Sequence, residues 1–157
     1  MNETGYHDRY ECHAKGWFSE TGKLWAGQAM SIQVKEKLHD QKSEFQHLQV
    51  FETEQYGRML TLDGVIQTTD RDEFSYQEMM VHVPMCAHPA PKRVAVIGAG
   101  DGGILREIVK HESVEKVDHC EIDKAVCDVS RKFLPNLAQG LDHPKVNTLF
   151  ADGAAWL

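Results

Sequence analysis

The residues best suited to chemistry in this sequence form the glycine-rich segment Gly98-Ala99-Gly100-Asp101-Gly102-Gly103. This segment follows the apolar run Val94 to Ile97 and precedes residues 104 to 110, whose apolar positions 104, 105, 108 and 109 share one helical face. A strand, a glycine turn and a helix open the βαβ unit that binds nucleotides. Glycines there permit a tight turn and let a ligand approach the backbone where a Cβ would clash.

An acidic residue stands where such a unit would hold a ribose. The second predicted strand, Lys116 to Asp123, contains Glu121, which lies 23 residues after Gly98. A carboxylate at the end of that strand can accept hydrogen bonds from both ribose hydroxyls of an adenosine. Turn and acid together predict an adenosine site, and the alternative is a structural turn beside an unrelated surface glutamate.

Asp101 discriminates among adenosine ligands. A dinucleotide places its pyrophosphate against this turn, where a carboxylate would repel it, so the sequence argues against NAD. A sulfonium or a protonated amine would be attracted instead. Asp101 also disfavours a tail that ends in a carboxylate, as in S-adenosylmethionine, and favours the decarboxylated form with its bare ammonium. The alternative is that Asp101 only caps the following helix.

Three predicted parallel strands end at candidate ligand groups. The glycine-rich segment follows the first strand, Glu121 ends the second, and Asp152-Gly153 follow the third, Val146 to Phe150. Ligands of open parallel sheets lie beyond the carboxyl ends of the strands. We therefore expect the three groups to form one site.

The residues before this unit predict a separate module. Residues 1–16 are polar and lack periodicity, which predicts a flexible tail. Over residues 17–70, β-prone runs alternate with polar residues, and the dipeptide Asp63-Gly64 separates two runs as a hairpin turn. The predicted fold class is α/β: a small N-terminal antiparallel β domain over 17–70, then the first half of a Rossmann-like, methyltransferase-type parallel sheet over 71–157.

Two helices and one loop complete the second predicted domain. A helix at about 71–87 carries Tyr76, Met79, Met80 and Val83 on its apolar face, with Gln77 as an adjacent polar residue. A second helix follows Glu121 and ends near Leu134. Residues 136–145 are predicted to form a loop.

Composition narrows the classes of partner. The 157 residues are 41% hydrophobic and 26% charged, which is typical of one or two globular domains. The net charge of −7 makes nucleic acid an unexpected partner and weakly favours cationic ligands. No membrane-spanning run or signal peptide is evident, so no membrane association is expected.

The cysteines and histidines point to neither disulfides nor a metal. Four cysteines, Cys12, Cys86, Cys120 and Cys127, lack C-x-x-C spacing and are interpreted as reduced thiols of a cytoplasmic protein. No pair among the nine histidines has a convincing ligand spacing. We therefore expect no metal site.

Seven motifs between residues 16 and 157 point to one family. They are Gly16-Trp17-Phe18, Leu24-Trp25-x-Gly27-Gln28-Ala29, Leu62-Asp63-Gly64-Val65-Ile66-Gln67, Asp72-Glu73-Phe74-Ser75-Tyr76-Gln77-Glu78-Met79, the glycine-rich segment, Cys120-Glu121-Ile122-Asp123 and Lys132-Phe133-Leu134-Pro135. On these motifs the chain resembles the N-terminal half of the spermidine synthase family, the polyamine aminopropyltransferases.

The resemblance implies transfer of an aminopropyl group from decarboxylated S-adenosylmethionine to putrescine, giving spermidine and methylthioadenosine. The donor is a cosubstrate, so no cofactor is expected. The implied donor-binding residues are Gln46, Gln77, Gly98, Gly100, Asp101, Gly102, Glu121, Asp152 and Gly153, and Tyr76 is implied to line the putrescine groove. Ala99 replaces a more usual glycine, and we expect the turn to remain intact.

The resemblance also implies a direct displacement, in which a putrescine nitrogen attacks the aminopropyl carbon bonded to sulfur. The amine must first lose a proton to a carboxylate. The family's proton-accepting aspartate lies beyond Leu157, so we expect a fragment that holds donor-site residues and no catalytic residue. The family's N-terminal sheet implies a homodimer.

Two alternatives remain. Putrescine N-methyltransferases are similar but lack the aspartate at position 101 and the glutamine at position 77, both of which are present here. An S-adenosylmethionine-dependent methyltransferase would be revealed by preference for the carboxylated donor. A non-catalytic, truncated binding module would bind the ligand without turnover.

Overall fold

A computed structural model of the chain describes residues 16–22 and 26–157. The predicted tail therefore lies outside the described residues, apart from Gly16. The chain divides into two compact units, Met1–Asp72 and Glu73–Leu157. Within the described ranges, no helix is both long enough and apolar enough to cross a membrane.

The first unit is an antiparallel sheet whose five strands are neighbours in chain order. The strands are β1 (Trp17–Glu20), β2 (Met30–Lys42), β3 (His47–Thr53), β4 (Arg58–Leu62) and β5 (Val65–Thr69). The predicted antiparallel β fold of this region is confirmed.

Paired apolar side chains form the core of the first unit. Phe18 on β1 lies opposite Ile32 on β2, and Phe51 on β3 lies opposite Met59 on β4. All four are buried and pack together, with the rings of Phe18 and Phe51 5.2 Å apart between centroids. Because side chains of a strand alternate between its two faces, this pairing fixes the register of the sheet.

The hairpin between β4 and β5 has the predicted Asp63-Gly64 turn. Leu62 pairs with Val65, which leaves a two-residue loop, and Asp63 and Gly64 have φ values of 50° and 78°. Two positive φ angles define a type I′ turn, whose twist matches that of the flanking strands. The Asp63 carboxylate also accepts the His47 N–H at 2.8 Å, which ties the turn to β3.

The second unit alternates helices with a parallel sheet of order β6-β7-β8. Its elements are α1 (Glu73–Ala87), β6 (Arg93–Ile97), α2 (Gly103–Ile108), β7 (Lys116–Glu121), α3 (Lys124–Phe133), α4 (Pro135–Ala138), β8 (Val146–Phe150) and α5 (Gly153–Trp156). The predicted parallel sheet with its helices is confirmed.

A short helix, α4, occupies the start of the region predicted to be a loop. Pro135 is its first residue, where the missing N–H costs nothing and the fixed φ already suits a helix. Leu134 and Leu137 are buried, so packing stabilises this single turn. The loop prediction for residues 136–145 was therefore wrong at its N-terminal end.

The apolar face predicted for α1 is not the buried one. Tyr76, Met79, Met80 and Val83 are each more than half exposed. The helix instead buries Gln77, Val81 and Met85, which follow one another at intervals of four residues. Val81 and Met85 belong to the core of the second unit, so packing selects the narrower stripe that carries them.

Candidate functional site

Left-handed backbone shapes the turn between β6 and α2. Gly98, Ala99 and Gly102 have φ values of 79°, 67° and 87°. The Gly98 N–H donates to the carbonyl of Cys120 at 2.9 Å, and the Gly102 N–H donates to the carbonyl of Ala99 at 2.9 Å. The turn forms with alanine at position 99, although a left-handed conformation costs a residue with a Cβ about 1 kcal/mol.

Two glycines of the turn make room for functional side chains. A Cβ on Gly100 would stand 2.9 Å from Oε2 of Glu121, and a Cβ on Gly103 would stand 2.5 Å from Cδ of Gln77. Both distances are too short for a Cβ contact. The missing side chains thus let Glu121 and Gln77 approach the backbone of the turn from β7 and α1.

The Asp101 carboxylate is held by two donors within this unit. Its Oδ1 accepts the N–H of Gly103 at 2.7 Å, and its Oδ2 accepts Nε2 of Gln77 at 3.3 Å. Burial raises the pKa of this carboxyl, and the two hydrogen bonds offset the rise only in part. Asp101 accepts the first N–H of α2, but the N-cap of that helix is Gly102, so Asp101 is not the cap that the alternative supposed.

Gln77 has an unsatisfied acceptor beside this carboxylate. The residue is 2% exposed, and its Oε1 is buried without a hydrogen-bond partner among the described residues. An unpaired buried acceptor costs about 1–3 kcal/mol, so a donor from outside these residues, either a water or a ligand, would stabilise it. A desolvated carboxylate and an unpaired carbonyl oxygen are the two acceptors that an alkylammonium would satisfy together.

Glu121 lies at the carboxyl end of β7 and is 7% exposed. Its Oε1 accepts the N–H of Asp123 at 2.9 Å, which fixes the carboxylate, and its Oε2 lies toward Gly100. Asp123 in turn accepts the N–H of Ala125 and caps α3. The local backbone thus orients a carboxylate beside the turn, where it can accept from hydroxyl groups.

The residues that follow the carboxyl end of β8 lie next to the carboxyl end of β6. Asp152 follows β8, is exposed, and caps α5 by accepting the Ala154 N–H at 2.8 Å. A Cβ on Gly153 would stand 2.5 Å from Cγ2 of Ile97, the residue before Gly98. The glycine therefore allows the start of α5 to lie against the end of β6.

An ion-pair cluster that the sequence did not predict joins α1 to α2. Arg106 donates to both carboxylate oxygens of Glu73, at 2.9 and 2.8 Å, and to Oε1 of Glu107 at 2.7 Å. The Glu107 side chain is fully buried, and although burial alone would raise its pKa, hydrogen bonds from Lys110 and Arg106 lower that pKa below its usual range. Because Glu73 lies one turn before Gln77, the cluster holds Gln77 near α2.

The resemblance also implies roles for Gln46 and Tyr76. Gln46 belongs to the first unit, where it precedes β3 and its carbonyl accepts the N–H of Ser43 at 2.9 Å. Tyr76 lies on α1 directly before Gln77 and is 61% exposed. The second unit thus brings together Gln77, the turn, Glu121 and Gly153. No group of three potential metal-ligating side chains occurs among the described residues.

Two family models match the chain. The spermine/spermidine synthase domain matches residues 73–157, and the spermidine synthase tetramerisation domain matches residues 16–70. Over 142 residues the chain is 54% identical to a spermidine synthase of Dictyostelium discoideum, covering 90% of this chain and 50% of that protein.

Solved structures agree with these matches. A spermidine synthase crystallised with the transition state analogue AdoDATO has a TM-score of 0.87 and 38% identity, covering 92% of this chain and 49% of that one. A spermidine synthase from Thermotoga maritima has the same TM-score and identity, covering 92% of this chain and 51% of that one. The chain spans about half the length of the relatives it matches.

Proposed function

The chain belongs to the spermine/spermidine synthase family, and from this premise we propose that it serves aminopropyl transfer from decarboxylated S-adenosylmethionine to putrescine. The products are spermidine and methylthioadenosine. In this proposal the second unit binds the donor. The donor is a cosubstrate, and we propose no further cofactor or metal.

One observation carries the proposal: the Asp101 carboxylate accepts a hydrogen bond from Gln77, whose Oε1 is buried without a partner among the described residues. The aminopropyl tail of the decarboxylated donor ends in an ammonium, which donates three hydrogen bonds and carries the opposite charge. It would give Gln77 the missing donor and stabilise the ionised form of Asp101. The tail of S-adenosylmethionine adds a carboxylate, which Asp101 would repel, so N-methyl transfer is disfavoured.

The other site residues receive their roles by the same reasoning. Glu121 would accept from the ribose hydroxyls, and Asp152 with Gly153 would border the adenine. Gly98, Gly100 and Gly102 would let the donor approach the turn. For Gln46 we propose contact with the donor tail, and for Tyr76 a place in the putrescine groove; both rest on the family resemblance.

The chemistry is a single displacement at carbon. A neutral putrescine nitrogen attacks the methylene bonded to the sulfonium, the C–S bond breaks, and sulfur keeps the electron pair as methylthioadenosine leaves. The attacking nitrogen becomes neutral by first giving the proton of the putrescine ammonium to a carboxylate, and the displacement leaves it as a secondary ammonium. We propose that the described residues bind and orient the donor, and we assign none of them as the proton acceptor.

Assembly and location follow from the family. We propose that the first unit mediates self-association, at least as a homodimer, since the model that matches it is named for tetramerisation. Light scattering of the chain tests this, and a monomer at micromolar concentration would contradict it. We propose a cytoplasmic location, which the free thiols of Cys86, Cys120 and Cys127 support.

Calorimetric titration with the two donors tests the proposed function. We expect decarboxylated S-adenosylmethionine to bind at least tenfold more tightly than the carboxylated form, because only the latter brings a second negative charge to Asp101. Equal affinity, or preference for the carboxylated form, would contradict the proposal.

A further inference from the structure

His119 is a buried titratable residue to which the proposed function gives no part. It lies on the central strand β7, and its side chain is fully buried. Its Nε2 is 2.8 Å from the carbonyl oxygen of Gly98, at the end of β6, and its Nδ1 is 3.0 Å from Oγ1 of Thr148 on β8. The imidazole therefore bridges the two outer strands of the sheet beside the glycine-rich turn.

The partners of the ring determine its tautomer. A carbonyl oxygen only accepts hydrogen bonds, so Nε2 must carry the proton that it shares with Gly98. Burial lowers the pKa of His119, although the nearby carboxylates of Glu121 and Asp101 oppose this. In the neutral ring Nδ1 then accepts from the Thr148 hydroxyl, which fixes the ring plane.

Gly98 depends on β7 for its position. Its N–H donates to the carbonyl of Cys120, and its carbonyl accepts from His119, so two consecutive residues of β7 hold both of its polar groups. Within the described part of the chain, no heavy atom outside Gly98 and its two chain neighbours lies within 4 Å of the place where a Cβ on Gly98 would stand. No side chain packs on that side of this left-handed residue, so the two hydrogen bonds to β7 are the contacts that we expect to fix it.

We infer that His119 is a positioning residue for the glycine-rich turn: its Nε2–H holds the Gly98 carbonyl and thereby fixes the backbone that carries Asp101. Thr148 orients the imidazole and so ties β8 to the same turn. The consequence for donor binding rests on the proposed function, whereas the effect on the turn itself does not. A purely structural histidine would contribute to stability and leave the turn and its ligand unaffected.

Amide hydrogen exchange of the unliganded chain tests the effect on the turn. The amides to follow are those of Gly102 and Gly103, which are bonded within the turn to Ala99 and Asp101. In His119→Leu we expect these amides to exchange about tenfold faster, since the Gly98 carbonyl loses its donor. His119→Gln can still donate an amide N–H and should remain within about twofold of the unaltered chain.

Thr148, the half-buried partner of His119, offers a milder substitution that leaves the imidazole in place. Thr148→Val removes the hydroxyl that orients His119, and we expect a smaller acceleration at the same two amides. Nitrogen NMR of the imidazole should report the Nε2-protonated tautomer in the unaltered chain. A proton on Nδ1 instead, or equal exchange in the leucine and glutamine variants, would overturn the inference.

Calorimetry with decarboxylated S-adenosylmethionine tests the consequence for the ligand. We expect His119→Leu to weaken binding roughly three- to tenfold, the value of one hydrogen bond, and His119→Gln to restore it. Unchanged affinity in His119→Leu, with unchanged exchange at the turn, would overturn the role of His119. If the unaltered chain binds neither donor, the proposed function fails, and the exchange experiment still decides on His119.

Discussion

At Asp101 the proposed function and the stability of the fold make opposite demands. Its carboxyl has a raised pKa because it is desolvated, so the folded chain disfavours the ionised form. A folded-state pKa above the unfolded value means that stability is lost as the pH rises through it. At neutral pH the ionised carboxylate therefore opposes folding, and a bound ammonium would remove this cost.

The first prediction is that Asp101→Asn leaves the fold as stable as before or stabilises it by about 1 kcal/mol. The amide oxygen of asparagine can still accept the Gly103 N–H, and its NH₂ can donate to Oε1 of Gln77 once the Gln77 amide turns over, because Nε2 of Gln77 now faces this position. Urea unfolding at neutral pH gives the measurement. A loss of more than about 1 kcal/mol would show that the carboxylate mainly stabilises the turn.

The same pKa predicts how donor affinity depends on pH. A proton and the donor ammonium compete for Asp101, so affinity should fall as the pH decreases through the raised pKa of this carboxyl. Because the pKa lies above the usual aspartate value of about 3.9, the fall should begin at a higher pH than for an ordinary aspartate. Titrations from about pH 7 down to about pH 4 test this. Asp101→Asn is the control, and a parallel fall in that variant would assign the effect to another group.

Ala99 carries strain that a smaller residue would relieve. It is an alanine with a φ of 67°, and Ala99→Gly should stabilise the chain by about 1 kcal/mol. The matched control is Ala125→Gly in the first turn of α3, which should destabilise by about 0.5–1 kcal/mol, because glycine is a poor helix former. Unfolding midpoints in urea measure both, and the prediction fails if the two variants shift the midpoint in the same direction.

At the scale of elements, the ion pairs between α1 and α2 hold Gln77 in place. Arg106 contacts Glu73 and the fully buried Glu107, and its own side chain is 14% exposed. Arg106→Gln would leave two enclosed carboxylates without this cation and should destabilise by about 3 kcal/mol. Lys110 also contacts Glu107 but is 54% exposed, so Lys110→Gln should cost less than about 1 kcal/mol. Comparable losses in the two variants, measured by urea unfolding, would contradict this account of the helix pair.

Elements governed by local sequence were predicted correctly. The Asp63-Gly64 turn follows from the φ values that two residues permit, and the strand after Lys92 follows from a run of apolar, β-prone residues. The face of α1 depends instead on which neighbour packs against it. Tyr76, Met79 and Val83 formed the stronger apolar pattern in the sequence, yet they are exposed. Val81 and Met85 are the α1 residues buried in the core.

At the scale of the molecule, the candidate site combines contacts between near and distant parts of the sequence. Glu121 was predictable because parallel strand ends share one edge of a sheet. The burial of Gln77 and the contacts of His119 were not, because their partners lie 24, 21 and 29 residues away and depend on packing. Gln77 was found only through the family resemblance. A polar residue in the middle of a buried strand was the one signal that could have pointed to His119.

We propose that the Asp101 carboxylate selects a donor tail ending in an ammonium. The most direct test is the ratio of the affinities for decarboxylated and carboxylated S-adenosylmethionine, measured by calorimetry in the unaltered chain and in Asp101→Asn. We expect a preference of at least tenfold for the decarboxylated donor that falls to within about threefold in the variant. A preference that survives the loss of the charge would contradict the account.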